Sequence, residues 1–358
     1  MKFVIAGGGT GGHLFPGIAI AEAFIEREMG NEILFIGTKR GIESRVLPGG
    51  KFPLITIQAM PLQGRSVLGK VKALWFVPKA IREAYSILKG LQPQLVLGVG
   101  GYASGPTLIA AFLLGMKRAI HEQNVIPGMT NRILKWFSQR IFVSFEETKR
   151  YFPDEKTVVT GNPIRREIFK GIEKKKGDRF TLLIFGGSAG AHRINQAVVE
   201  ALDLLQGVKP YLKFFHQTGR EDEEWVSKVY REKGFEAVVR PFFEDMATYY
   251  QLSDLVICRS GASTVAELSV CRKASILIPY PHAAHNHQLI NAQKLVDLGA
   301  ARMIRDEALN GASLAKNILH LYEHPEERTR MEENIRKVGR PEAAQEIVEH
   351  CYALMRGN

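Results

Sequence analysis

Lys2-Phe3-Val4-Ile5-Ala6-Gly7-Gly8-Gly9-Thr10-Gly11-Gly12-His13 sets a short apolar run against a glycine-rich turn, and Pro16 marks the opening of a helical pattern. The order reads strand, loop, helix. Gly7, Gly9 and Gly12 fit the spacing GxGxxG. Glycines let the backbone come close to a phosphate, and a following helix start offers unpaired N–H groups and the positive end of its dipole. The other reading of such a loop is a turn that only packs helix on strand. The plan recurs in the second half, where Leu182–Phe185 runs into Gly186-Gly187-Ser188-Ala189-Gly190-Ala191 and then a helix, with Ser188 adding a hydroxyl donor. Gly98-Val99-Gly100-Gly101-Tyr102-Ala103-Ser104-Gly105-Pro106 is a third strand-to-helix loop. In an open α/β sheet such loops gather at the carboxyl ends of the strands, where ligands bind.

Outward from these loops the alternation continues. The predicted strands of the first half are Phe3–Ala6, Ile33–Ile36, Leu95–Val99, Ala119–His121 and Ile141–Ser144, with helices over Pro16–Met29, Pro78–Leu91 and Pro106–Leu114. The second half gives Phe180–Phe185, Leu212–His216, Ala237–Val239, Leu255–Cys258 and Ser275–Ile278, and a last helix over Pro341–Met355. Short apolar runs alternating with helix-length segments predict βα units, parallel sheets and a doubly wound α/β architecture. The polar, basic Gly171–Asp178 suits a linker or surface loop, and a domain boundary is expected between about Asn162 and Asp178.

A chain of 358 residues suits two domains. With 45% hydrophobic and 24% charged residues it is expected to fold as a soluble protein, not as a coiled coil or disordered tail. No apolar run approaches the roughly 20 residues of a membrane span, and no signal peptide is visible. Cys258, Cys271 and Cys351 form no CxxC pair, which points away from a disulfide scaffold and towards a reducing compartment. The 48 basic against 37 acidic residues attract phosphates, nucleic acid or anionic lipid without choosing among them.

A dinucleotide cofactor would want an acid after the second strand. Thr38-Lys39-Arg40 stands there instead, which disfavours NAD and leaves NADP as a rival. A non-enzymatic nucleic-acid or membrane binder is another; its binding would be lost in modest salt. Gly64 to Lys70 resembles GxxxxGK, but Val71 replaces the Ser or Thr that holds magnesium, so a flexible loop is expected.

Other polar groups invite a site. Glu267 lies one turn after Ser263 or Thr264, where a carboxylate could take the two hydroxyls of a ribose; a cap by Ser263 with a solvated acid is the plainer reading. His282, His285 and His287 lack the acid or Cys that would complete a metal set, and a polar loop in which Asn286, His287 and Gln288 bond a hydroxyl-rich ligand is expected. His121-Glu122-Gln123-Asn124, ending a strand, reads as a site and not a core. Arg165 could reach a ligand or pair on the surface, and His13 could be a general base or a helix-start histidine without chemistry. Leu68, Leu74, Trp75, Phe76, Val77 and Ile81 alternate with Arg65, Lys70, Lys72, Lys79 and Arg82, as in an interfacial membrane contact or an amphipathic helix packed on the sheet. Phe112, Leu113 and Leu114 beside Lys117 and Arg118 extend that patch.

Six segments together resemble the MurG family of peptidoglycan N-acetylglucosaminyltransferases, in the family's order and across nearly the whole chain. They are Gly8–His13, Gly100–Pro106, His121–Asn124, Gly161-Asn162-Pro163-Ile164-Arg165, Gly186–Ala191 and Arg259-Ser260-Gly261-Ala262-Ser263-Thr264. The resemblance implies a GT-B fold, with two Rossmann-like domains facing a cleft and closing on the donor. Residues 1–163 with about 340–358 would serve the acceptor and membrane, and 164–339 the donor. The implied reaction is inverting transfer of N-acetylglucosamine from UDP-N-acetylglucosamine to the muramyl C4 hydroxyl of lipid I, giving lipid II and UDP. It would be run by a peripheral enzyme at the cytoplasmic face of the bacterial inner membrane, on an anionic surface, without nucleic acid. A transferase with another acceptor is the nearest alternative, and the motif set requires no metal or cofactor. Carried over by position, Ser188 and its loop hold the donor diphosphate, Glu267 the ribose and the Phe243 backbone the uracil. Asn124, Arg165, His287, Gln288 and the helix start Ala262, Ser263, Thr264, Val265 and Ala266 complete the donor side, with Thr10, Gly11 and Gly12 facing the donor sugar. Gly11, Gly12, His13, Gly100, Gly101, Tyr102 and Ser104 receive the acceptor. Ala189 stands where the family usually has Gln, and His285 where an acid is common.

Overall fold

The computed structural model describes residues 1–39, 41–47, 50–59, 67–172, 177–187, 190–283 and 286–357, with the backbone alone for 67–75, 170 and 171. They form two compact units, Met1–Arg165 with Arg340–Asn358, and Arg166–Gly339.

The first unit carries β1 (Lys2–Ala6), β2 (Glu32–Gly37), β3 (Leu54–Thr56), β4 (Leu95–Gly98), β5 (Lys117–Glu122), β6 (Arg140–Val143) and β7 (Thr157–Val159). All pair in parallel in the order β3-β2-β1-β4-β5-β6-β7. The order turns outward on either side of β1, so the loops after β1 and β4 meet at the switch point of the sheet. Its helices are α1 (Gly11–Arg27), α2 (Glu43–Val46), α3 (Val67–Leu91), α4 (Ser104–Leu113) and α5 (Met129–Leu134). Three of them start earlier than the prolines suggested, α4 by two residues and α1 and α3 by more than one turn. Pro16 and Pro78 lie inside α1 and α3, where each removes only one helix hydrogen bond, and the apolar residues that follow them, Ile20 and Phe24 in α1 and Ala80, Ala84 and Leu88 in α3, are still buried. The backbone over 67–70 is therefore helix and not loop.

The second unit repeats the plan with β8 (Phe180–Phe185), β9 (Leu212–Gln217), β10 (Ala237–Arg240), β11 (Leu255–Cys258), β12 (Ser275–Leu277) and β13 (Arg302–Met303), again all parallel, in the order β10-β9-β8-β11-β12-β13. Every residue of β8 is buried, as a strand covered on both faces requires. Around the sheet run α6 (His192–Leu204), α7 (Glu223–Lys233), α8 (Met246–Leu252), α9 (Ala262–Val270), α10 (His287–Asp297), α11 (Gly311–Glu323) and α12 (Pro325–Arg336). The final helix, α13 (Ala343–Arg356), belongs to the first unit. Its Ile347, Val348, Cys351 and Tyr352 join Phe3, Phe24 and Leu97 in one core, and Asn31 Nδ2 donates to Tyr352 Oη at 2.8 Å. Each such buried aliphatic side chain is worth about 1.5–3 kcal/mol.

Two buried histidines couple this fold to pH. His121 Nε2–H donates to the Gly161 carbonyl at 3.1 Å, and burial, against that bond, holds its imidazole down at about 4. His216 Nε2–H donates to Asn195 Oδ1 at 3.0 Å, and burial, opposed by Asp222, holds it at about 3. In the unfolded chain both titrate near 6.5, so below that pH the unfolded state binds more protons. The contribution to stability is intact above about pH 6.5 and is lost as pH falls towards about 4 for His121 and about 3 for His216. Each histidine is expected to cost about 1.4 kcal/mol per pH unit in that window. Calorimetric melts from pH 7 to 4.5 check this, and His216→Gln with an unchanged pH slope would refute it.

Candidate active site

The two glycine loops of the first unit interlock. A Cβ on Gly7 would stand 2.5 Å from the Gly100 carbonyl oxygen, and one on Gly101 (φ +82°) 2.2 Å from that of Gly8. A Cβ on Gly8 would collide with the Glu43 carboxylate at 2.4 Å, and one on Gly9 would meet the Tyr102 ring at 3.3 Å. Gly7 N–H donates to Ile36 O at 3.0 Å and Gly9 N–H to Glu43 Oε2 at 2.7 Å. These glycines thus serve the approach of protein to protein, and two of their amides are used internally. Gly11, Gly12 and His13 form the first turn of α1, behind an extended Thr10. Gly12 is exposed, and among the described residues the nearest atom to a Cβ there is Thr10 Oγ1 at 3.8 Å, so packing against them gives no reason for a glycine.

His13 is clamped in place. Thr10 Oγ1 and His13 Nδ1 share a hydrogen bond at 3.2 Å, and the ring lies against Gly100, where a Cβ would come within 2.6 Å of Cδ2. Arg165 stacks its guanidinium over Phe15 at 4.4 Å, which sets it beside the start of α1. Ser104 is fully buried, packed against Gly98, so it lies under the second loop and not on its surface.

The strand-end quartet His121–Asn124 corrects its sequence reading. His121, Glu122 and Gln123 are core residues. Glu122 accepts from Asn124 N at 3.0 Å, Gly128 N at 3.0 Å and Asn131 Nδ2 at 2.9 Å, while Gln123 Nε2 holds the Val99 carbonyl at 2.8 Å. Burial raises the Glu122 carboxyl above its ordinary value, against these bonds. Asn124 alone of the four is part-exposed. Asn162 is 6% exposed, and neither polar atom of its amide has a partner among the described residues, as at a site that expects a ligand.

In the second unit the loops after β8 and β11 flank the corresponding switch point. Gln217 Nε2 donates to Gly187 O at 2.9 Å, and Gln217 Oε1 accepts Phe243 N–H at 2.8 Å. The Phe243 N–H is therefore already engaged. The cap of α9 is Gly261, not Ser263, and Glu267 is no solvated acid: it is half-buried and accepts the Tyr250 hydroxyl at 3.0 Å. Gln288 Oε1 accepts from Ser260 N at 3.2 Å and Tyr280 N at 3.0 Å, tying the start of α9 to the loop after β12. His287 is the first residue of α10, behind Asn286 at φ 53°.

Comparison with known proteins decides the family. Residues 3–143 match the glycosyltransferase family 28 N-terminal domain and residues 181–347 its C-terminal domain. The chain is 50% identical to a Myxococcus xanthus protein over 99% of this chain and 93% of that one, and 47% identical to one of Geotalea uraniireducens over 98% and 97%. Both are named UDP-N-acetylglucosamine–N-acetylmuramyl-(pentapeptide) pyrophosphoryl-undecaprenol N-acetylglucosamine transferase. The crystal structure of Acinetobacter baumannii MurG superposes with a TM-score of 0.77 at 31% identity, covering 99% of this chain and all of that one. This chain belongs to the MurG transferases of glycosyltransferase family 28.

It is accordingly a glycosyltransferase of GT-B fold. The NADP oxidoreductase and the non-enzymatic binder are set aside by that membership. Of the residues the MurG pattern singles out, Thr10, Gly11, Gly12, His13, Gly100, Gly101 and Tyr102 come together at one switch point, with Arg165 beside them. The helix start Ala262–Ala266, Glu267 and Gln288 gather in the second unit. Ser188, Ala189, His285 and Arg40 lie outside the described residues, as do the side chains of Leu68, Leu74 and Trp75. Ile81 packs against the core, on the face of α3 that also carries the buried Ala84 and Leu88. Phe76 and Val77 are half-buried and Phe112 is exposed. Sequence reasoning missed Glu43, Gln217 and the exposed apolar residues Met129, Ile133 and Trp136 on and just after α5, the last 70% exposed and next to Phe137, whose ring meets Phe112 edge-on at 5.2 Å. Among the described residues no helix is long and apolar enough to cross a membrane.

Proposed function

We propose that the enzyme transfers N-acetylglucosamine from UDP-N-acetylglucosamine to the muramyl C4 hydroxyl of lipid I, with inversion, releasing UDP and lipid II. The carrying observation is identity of 47–50% across nearly the whole chain to transferases named for that reaction. The hydroxyl oxygen bonds to the anomeric carbon as the bond to the diphosphate oxygen breaks. The hydroxyl proton passes to a base, for which His13 is the candidate, and the electron pair leaves on UDP. Charge developing on UDP is met by N–H groups at the helix starts of the second unit, which requires no metal. Glu267 takes the ribose hydroxyls, Ser188 and the Gly186–Ala191 loop the diphosphate, and the interlocked loops of the first unit the acceptor diphosphate.

In this reading the first unit rests on an anionic membrane surface through Phe112, Leu113, Ile133 and Trp136. Arg118 lies 4.8 Å over Phe112, and Lys135 lies 5.1 Å from the Trp136 ring. Exposed apolar groups among cations suit an interfacial contact with anionic lipid.

UDP release from UDP-N-acetylglucosamine, with and without a soluble lipid I analogue and with and without EDTA, tests the reaction. Acceptor-dependent release that survives EDTA is expected. Tight donor binding without release would move the acceptor elsewhere, and no binding at all would end the reading. Glu267→Ala is expected to raise the donor KM about 10- to 100-fold with a smaller change in kcat. Trp136→Ser with Leu113→Ser is expected to weaken sedimentation with anionic vesicles, and unchanged sedimentation would remove the membrane face.

A further inference from the structure

We propose that Glu43 is a positioning residue for the acceptor diphosphate, its buried carboxylate fixing the two glycine loops on which that group rests. The inference depends on the proposed function for the identity of the acceptor. Glu43 is 1% exposed and begins α2. Its Oε2 accepts Gly9 N–H at 2.7 Å, and its Oε1 accepts both Thr38 N–H at 2.8 Å and the Thr38 hydroxyl at 2.9 Å. Both oxygens are thus committed to the loops after β1 and β2. One side chain also accounts for three glycines. A Cβ on Gly8, Gly37 or Gly41 would stand 2.4, 2.6 or 2.0 Å from it.

Gly8 is held between two walls, the Glu43 carboxylate and the backbone of Gly101. Two residues on, Thr10 stands just before the first turn of α1 and its hydroxyl bonds His13. Any drift of Gly8 and Gly9 therefore carries Thr10, the first turn of α1 and His13 with it. A rigid loop of this kind costs nothing to organise when the substrate arrives. The charge itself works the other way, since a carboxylate beside a diphosphate repels it. Positioning and bare electrostatics therefore predict opposite signs when the charge is removed.

Glu43→Gln keeps the shape but turns one accepting oxygen into an NH2 that faces N–H donors. It is expected to lower kcat/KM for the soluble lipid I analogue about 10- to 100-fold. Inorganic pyrophosphate binding, measured by calorimetry, is expected to weaken about tenfold and Tm to fall by a few degrees, while UDP-N-acetylglucosamine affinity stays near wild type. Glu43→Asp, which keeps the charge, should recover part of the loss. Tighter pyrophosphate binding by Glu43→Gln overturns the proposal, as do unchanged acceptor kinetics or a donor affinity that falls in step with activity. If the wild type transfers nothing to the analogue, the acceptor assignment fails, and the pyrophosphate comparison alone still decides Glu43. Should Glu43→Gln not fold, Thr38→Val removes one of the three bonds and is expected to weaken pyrophosphate a few-fold; no change there would overturn the proposal equally.

Discussion

Replacing His13 with alanine is expected to lower kcat by about 10²- to 10⁴-fold while UDP-N-acetylglucosamine affinity changes little. The ring is wedged against Gly100 and its Nδ1 is bonded to Thr10, so its orientation is set before any substrate binds. In the tautomer in which Nδ1–H donates to Thr10 Oγ1, Nε2 is the nitrogen that would receive the proton of the C4 hydroxyl. The neighbouring His121 is buried and held down at about 4, so at neutral pH it presents no cation to His13. His13→Asn separates the two roles the residue could play. Asparagine keeps a polar atom near Thr10 but cannot take up the proton. Loss in His13→Asn as deep as in His13→Ala, read by single-turnover kinetics, supports the base. Recovery to within a few-fold of wild type assigns His13 to holding the acceptor instead.

The sheets were legible because their central strands are continuous apolar runs, several of them followed within three residues by a glycine. Phe180–Phe185 and Leu255–Cys258 stand where the pattern put them. The edges were not. Leu54–Thr56, Thr157–Val159 and Arg302–Met303 are two or three residues long, too short to carry a period, and they exist because a neighbouring strand offers a ladder. At the site, the glycines were visible but their reasons were mixed. Gly7 and Gly8 give way to Gly100 and Glu43, partners distant in sequence, whereas among the described residues nothing comes closer than 3.8 Å to a Cβ on Gly12. Glu43 had no local signature, since a carboxylate after an irregular stretch reads as surface; only its flanking Gly37 and Gly41 mark it in retrospect. His121, Glu122 and Gln123 misled for the same reason in reverse. Polar residues at a strand end look like a site until Asn131, Gly128 and Val99 supply the partners that let them be buried.

The same substitution at two glycines of this loop pair is expected to fail in opposite ways. Gly101→Ala places a methyl 2.2 Å from the Gly8 carbonyl oxygen, at φ +82°, with no flexible side chain available to move aside. Left-handed strain and overpacking together are expected to destabilise the first unit by about 2–5 kcal/mol, a Tm drop of about 5–15 °C. Among the described residues Gly12→Ala meets only Thr10 Oγ1 at 3.8 Å, within a helix where alanine is favoured by up to about 1 kcal/mol. Its Tm should hold or rise. If the start of α1 receives a diphosphate, the added methyl stands in the ligand's place, and kcat/KM should fall about 10- to 100-fold. Calorimetry and steady-state kinetics on both variants separate the cases. A Gly101→Ala enzyme with the wild-type Tm would mean the loops do not interlock. A fully active Gly12→Ala enzyme would mean that neither donor sugar nor acceptor approaches the first turn of α1, and would move the acceptor away from His13 as well.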